Sequence, residues 1–167
     1  MNFLIKVLFF LLFTFQCEIF CRDIEKSVPN IDFNLFNGNK TSIDELLNEG
    51  ILVLQFWAIW CSPCKKEMYH LNKIQKKFKD RGVNIVCVNT DNLKLVSKAK
   101  THIKQKKYNF IVASDPSSQI FKKLNASVMP TTIIIDKSGK VVFRKEGYII
   151  GDEKIIEEQL SLLINKS

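Results

Sequence analysis

"FWAIWCSPCKKE", residues 56–67, places Cys61 and Cys64 two residues apart, behind an apolar run and at the head of a lysine-rich stretch. A pair so spaced could grip a metal, staple a loop, or cycle between dithiol and disulfide. The neighbouring chain bears on the choice. "ILVLQFWA", 51–58, is almost continuously apolar, the pattern of a central strand covered on both faces. A helix then runs to about Asp80, stopped by Gly82. Met68, Leu71, Gln75 and Phe78 follow Cys64 at helical spacing, so Cys64 leads the inner stripe of that helix. Cys61 falls at the helix start, where unpaired N–H groups and the helix dipole favour an anion. An exposed attacking sulfur at Cys61 and a sheltered resolving sulfur at Cys64 are therefore expected, an arrangement suited to two-step thiol–disulfide exchange.

The other two readings are weaker. Structural zinc sites need four ligands, usually from two such pairs. Here one pair stands alone, with His70 six residues beyond Cys64 and His102 in a separate helix, so no metal and no cofactor is expected. A permanent staple across so short a loop restrains the unfolded chain very little.

Elsewhere the chain alternates strands and helices. "VPNIDFNLFNGNKTSIDELLNEG" reads as a small hairpin turning at Asn37-Gly38, then a brief helix starting at Thr41 or Ser42 and closed by Gly50. "VNIVCVN" is a second buried strand. Asp91 or Asn92 caps a helix to about Lys107, with Leu95, Ala99 and Ile103 facing inward. "NFIVAS" is a short strand, and "DPSSQIFKKLN" a helix with Asp115 at its cap and Pro116 in its first turn. "TTIIID" and "KVVFRKE" form a hairpin across residues 137–139, and an amphipathic helix ends the chain. This order argues for an α/β fold with a mixed central sheet flanked by helices, an N-terminal hairpin and an inserted strand–helix unit. A CxxC at a strand–helix junction beside such units reads as thioredoxin-like.

With 167 residues, 46% of them apolar, the chain suits one domain. Its formal charge of +8 comes from lysines spread along helical faces, with no nucleic-acid motif, so no nucleic-acid partner is expected. The N-terminus starts "MNFLIK", continues through "VLFFLLFTF", and turns polar at Gln16 and Glu18. That is short of the roughly 20 apolar residues a bilayer-spanning helix needs. Residues 1–21 are read as a secretory signal cut after Cys21, with an uncleaved anchor facing outside the cytoplasm as the alternative, and 22–167 as the folded domain. A lipoprotein cut before Cys17 lacks the small residue expected ahead of it. Export carries the pair to a compartment where disulfides persist. Cys87, inside "VNIVCVNTD", reads as a small buried hydrophobe.

"FWAIWCSPCKKE", followed downstream by "VMPTT" and "IIIDKSGKVVFRKEGY", resembles the thioredoxin-like thiol–disulfide oxidoreductases of the TlpA/ResA type, exported or membrane-tethered bacterial redoxins, some serving cytochrome c maturation. The likeness runs from about Val28 to the end. It implies a thioredoxin fold, Cys61 as nucleophile, Cys64 as resolver, and a cis peptide before Pro130, where the backbone of Met129 pairs with the substrate chain. Trp60 and Pro63 border the reactive sulfur and complete the expected substrate-binding set. Gln55 stands where cytoplasmic thioredoxins carry a buried acid. Gln cannot titrate, so Glu67, matching the family's CxPCxxE pattern and one turn beyond Cys64, is expected to accept and return the Cys64 proton. Trp57 is expected in the core, and Tyr69 and His70 as residues without a particular partner.

The expected function is dithiol–disulfide exchange with cysteine-containing client proteins, acting as a monomeric reductant in the bacterial periplasm or cell envelope and drawing electrons from a membrane thiol donor. Ser62-Pro63 resembles the dipeptide of the reducing members. A peroxide-reducing redoxin and a non-catalytic binding domain are the alternatives, though a peroxide enzyme of this fold keeps its cysteine after a proline–threonine run, unlike "WCSPC".

Overall fold

A computed structural model describes residues 27–166; the expected signal or anchor, residues 1–21, lies outside them. Strands β1 (Asp32–Leu35) and β2 (Lys40–Ser42) form the opening hairpin, followed by α1 (Ile43–Glu49), β3 (Ile51–Trp57), α2 (Ser62–Phe78), β4 (Val83–Asn89) and α3 (Leu93–Lys106). Then come β5 (Ile111–Ser114), α4 (Gln119–Lys123), β6 (Thr131–Ile135), β7 (Val141–Glu146) and α5 (Asp152–Lys166). All seven strands join one mixed sheet in the order β2-β1-β5-β4-β3-β6-β7. The pairs β3–β4 and β4–β5 are parallel; β3–β6, β6–β7, β1–β2 and β1–β5 are antiparallel. The expected inserted unit supplies β5, which bonds to β4 on one side and β1 on the other, tying the hairpin to the sheet.

Every residue of β3 is buried, as its unbroken apolar run requires. Alternation divides them between two cores. Leu52, Leu54 and Phe56 pack with Ile43, Leu46 and Leu47 of α1. Val53 and Trp57 face the other way, onto Cys64, Met68, Leu71 and Phe78 of α2. Full burial of each such aliphatic or aromatic side chain contributes about 1.5–3 kcal/mol. The same alternation turns Gln55 toward α2, where strand pairing sets it opposite Cys87 of β4.

Local signals fix most boundaries. Ser42 and Glu45 form a reciprocal capping box at α1: the Glu45 amide donates to Ser42 Oγ at 3.2 Å, and the Ser42 amide to Glu45 Oε2 at 3.1 Å. Asn92, rather than Asp91, caps α3, accepting from the Lys94 amide at 3.0 Å. Of the three residues expected to face inward on α3, Ala99 is fully buried while Leu95 and Ile103 are half-buried. The helix after β5 is shorter than expected. It starts at Gln119 because Asp115 caps from outside, its two carboxylate oxygens accepting from the Gln119 and Phe121 amides, while residues 116–118 form a turn.

Gly50 joins α1 to β3 at φ +149°, and a Cβ there would sit 2.0 Å from the Gly82 carbonyl oxygen. Gly38 at φ +92° has nothing within 4 Å of a built Cβ. Gly50→Ala is expected to lower the unfolding free energy by about 3 kcal/mol or more, and Gly38→Ala by about 1 kcal/mol, measured by urea titration. Equal losses at the two positions would contradict the close approach of Gly50 to Gly82.

Candidate active site

Cys61 is the N-cap residue of α2, with Pro63 in the first turn. The Cys64 amide donates to Cys61 Sγ at 3.2 Å, and the two cysteines form a disulfide with Cα atoms 5.4 Å apart. The sulfur at position 61 thus occupies the place a serine or aspartate oxygen takes at an ordinary helix start. A thiolate there accepts an otherwise unpaired amide and faces the positive end of the helix dipole, both of which favour the anion.

The expected exposure of Cys61 is not found: both cysteines are buried. Cys61 is 4% exposed and Cys64 0%. In this disulfide form the difference between the two residues keeps the expected direction but is small. Its rim is exposed: Trp60 at 65%, with Ser62 and Pro63 beside it.

One turn beyond Cys64, Glu67 is fully buried on the inner face of α2. Gln55 Nε2 donates to Glu67 Oε2 at 3.0 Å and also lies 3.4 Å from the Cys64 carbonyl oxygen. Thr132 Oγ1, from β6, donates to Glu67 Oε1 at 2.9 Å. Burial pushes the Glu67 carboxyl up from 4.5 to about 7; the Gln55 and Thr132 bonds pull it down, Asp152 raises it further and Lys145 lowers it. Lys145 and Asp152 are themselves paired at 3.2 Å. A carboxyl poised near neutrality one turn beyond Cys64 is of the kind that can take and return a proton.

The loop before the disulfide is held from β4. Asp91, also buried, accepts from the Ile59 amide at 2.7 Å and from Asn89 Nδ2 at 2.7 Å. The Thr90 amide donates to the Trp57 carbonyl at 2.9 Å, and Lys65 Nζ to the Ile59 carbonyl at 2.9 Å. Thr90 Oγ1 also lies 3.3 Å from Met129 Sδ. The Met129–Pro130 peptide is cis, as the resemblance implies. The next residues pair Thr131 with Phe56 and Thr132 with Gln55, which brings the cis-proline turn to the end of β3 from which the cysteine loop departs. Met129 packs against the cluster that contains both cysteines.

The fold brings together Cys61, Cys64, Glu67, Trp60, Pro63, Met129 and Pro130 around the junction of β3 and α2. Trp57 is fully buried and Cys87 is a buried free thiol, its pKa driven up first by burial and then by Glu67. Tyr69 and His70 depart from expectation, since both have partners. His70 Nδ1 lies 3.8 Å from Glu153 Oε1, its ring meets those of Tyr69 and Tyr148, and Lys73 sits over the Tyr69 ring. Glu153 and Tyr148 come from the distant α5 region, beyond the reach of spacing rules. Spacing alone gives Thr132 no role and offers Asp91 only as a candidate helix cap. The available signal was a polar residue at a buried strand position in Thr132, and two successive cap candidates, of which only one could serve α3, in Asp91.

A model of the Redoxin family matches residues 24–160. The chain belongs to this family. Over 136 residues the redoxin is 35% identical to thiol-disulfide oxidoreductase ResA of Bacillus cereus, covering 81% of this chain and 71% of that protein. ResA of Bacillus subtilis is 35% identical over 137 residues, covering 81% and 73%. Among solved structures, one from Chlorobium tepidum described as a thiol:disulfide interchange protein DsbE superposes with a TM-score of 0.77 at 28% identity, over 83% of this chain and 96% of that one. The redoxin is a thiol-disulfide oxidoreductase with Cys61–Cys64 as its CxxC pair. The alternatives of a non-catalytic binding domain and a peroxide-reducing enzyme find no support in these relatives.

The raised Glu67 pKa links stability to pH. A carboxyl whose folded pKa lies above its unfolded value stabilises fully below the unfolded value and loses that contribution as pH rises through the folded one. Moving it from 4.5 to about 7 corresponds to about 3 kcal/mol. In the oxidised protein, Glu67→Gln is expected to gain about that much stability relative to the parent between pH 4.5 and pH 8, read from denaturant titrations at both pH values. A pH-independent difference would contradict the burial of an ionising Glu67.

Proposed function

We propose that this oxidoreductase reduces disulfides of protein clients outside the cytoplasm, with Cys61 as the attacking sulfur, Cys64 as the resolving sulfur and Glu67 as the proton acceptor. The observation that carries the assignment is the Cys61 sulfur capping α2 with a buried, near-neutral carboxyl one turn behind its partner. In the reduced protein the Cys61 thiolate attacks one sulfur of the client disulfide. That S–S bond breaks, and the other client sulfur leaves as a thiolate. The result is a mixed disulfide through Cys61. The Cys64 thiol then gives its proton to the Glu67 carboxylate and attacks Cys61 Sγ. The second client sulfur leaves, the Cys61–Cys64 disulfide forms, and two electrons have passed to the client. Regeneration requires a dithiol donor of the same class, for which a membrane thiol carrier is the natural source in an oxidising compartment.

Exposed Trp60 and Pro63 supply an apolar rim on which a client chain can rest, and the Met129 backbone beside the cis-proline offers strand-like hydrogen bonds to it. The leader-like N-terminus supports export to the bacterial periplasm or cell envelope, and the likeness to the TlpA/ResA type supports cytochrome c maturation as one route it serves. Among the described residues no helix is long and apolar enough to cross a membrane.

Cys64→Ala is expected to accumulate a client as a mixed disulfide at Cys61, identified by mass spectrometry after non-reducing separation, whereas Cys61→Ala traps none. The opposite outcome would reverse the two roles. Resolution of a preformed mixed disulfide, followed by stopped flow, is expected to accelerate as pH rises through about 7 as Glu67 loses its proton. Glu67→Gln should remove that inflection and slow resolution at pH 7.5 by about 100-fold. An unchanged profile would end the role of Glu67.

A further inference from the structure

A groove of about 670 Å³ runs along the outer side of α2, beginning at Ser62, next to the reactive disulfide, and reaching Asn72. One wall comes from the end of α3 and the residues after it, with His102, Lys106 and Tyr108; the other comes from the loop after β7, with Tyr148 and Ile150. Lys65 and Lys66 project from its floor, and no residue lining it is acidic. Lys66 and Lys106 are exposed. Lys65 is anchored through the Ile59 carbonyl, which holds one positive charge beside the disulfide loop. Behind the Tyr148 wall, Glu153 accepts from Tyr148 Oη at 2.8 Å and the Gly151 amide at 2.9 Å and lies 3.8 Å from His70 Nδ1; its single negative charge is outnumbered by Lys65, Lys66 and Lys106. His102 is held below its ordinary pKa by burial, then by Lys65 and Lys106, so the lysines carry the positive field at neutral pH.

We propose that this groove docks an acidic segment of the client polypeptide flanking the cysteine that Cys61 attacks. The inference rests on the disulfide-exchange reading above and deepens it by naming the substrate class. From Ser62 to Asn72 the helix spans about 15 Å, the reach of four or five residues of extended chain. Carboxylates in such a segment meet Lys65, Lys66 and Lys106, while the tyrosine rings and Ile150 offer apolar surface to the stems between them. Because the charges are largely exposed, their main effect is on encounter and selection. The groove begins at Ser62, the residue after Cys61, so a segment held in it brings its neighbouring cysteine toward the point of attack.

The test uses the reduced full-length protein and three cyclic disulfide peptides that differ only in their flanking residues: three aspartates, three serines or three lysines. At low ionic strength the aspartate peptide is expected to be reduced about tenfold faster than the serine peptide, and the lysine peptide slower than both, in kcat/KM. The spread should shrink as sodium chloride rises to about 0.5 M. The double variant Lys66→Glu, Lys106→Glu should reverse the order. Lys94→Glu with Lys98→Glu makes the same charge change on the outer face of α3 and should preserve it. Reduction of the serine peptide without any aspartate preference overturns the groove and leaves the oxidoreductase reading standing. Equal loss of preference in both double variants overturns it in favour of net charge alone. Inorganic phosphate abolishing the preference at an ionic strength where sodium chloride does not would make the groove a small-anion site and overturn the client assignment. If no peptide is reduced, the disulfide-exchange reading falls and takes the groove with it.

Discussion

The packing of α2 on β3 is the constraint on which the site depends. It buries Met68, Leu71 and Phe78 against Val53 and Trp57, and thereby fixes the rotation of the helix about its axis. With that rotation set, Cys64 and Glu67 must face the sheet, and Cys61 must lie at the helix entrance. A buried carboxylate is tolerated there because Gln55 and Thr132 each donate to one of its oxygens. Without those donors the cost of removing a carboxylate from water would fall on it undiminished. The apolar contacts that stabilise the domain therefore also position its chemistry.

Three elements meet at the disulfide, and each is held by other hydrogen bonds as well as by the disulfide. Asp91 and Thr90 grip the loop between β3 and α2, Lys65 closes it from the helix side, and β6 sets the cis-proline turn beside it. These bonds hold the loop independently of the disulfide it carries. The basic groove leads away from the same point on the outer side of α2, so reacting sulfur and charged surface belong to one helix. The inner stripe of α2 carries Cys64 and Glu67, and its outer side carries Lys65 and Lys66.

The redox pair, the strand behind it, the inner stripe of α2 and the two-sided burial of β3 were all legible, because they follow from spacing along a single strand or helix. The cis peptide at Met129–Pro130 came from the resemblance, since nothing local distinguishes it from an ordinary turn. The start of α4 was misplaced because Asp115 satisfies amides four and six residues on, and so caps at a distance that the usual N-cap position does not anticipate. The near-complete covering of Cys61 was also not visible, because it depends on the residues that tertiary packing brings around the start of α2.

By itself, the sequence determined the elements, the CxxC position at a helix start and the periodicity that turns Cys64 and Glu67 inward. These are consequences of local geometry, with repeats of 3.6 and 2 residues. What meets Glu67 was decided only by tertiary structure. Gln55 lies 12 residues away and Thr132 lies 65 away along the chain, and their convergence depends on β6 pairing antiparallel to β3. The same holds for the clasp of Asp91 on Ile59 and for the groove between α2, α3 and the β7 loop. A carboxyl's pKa and a surface's charge are set by what surrounds them in space, and chain order alone does not specify those neighbours.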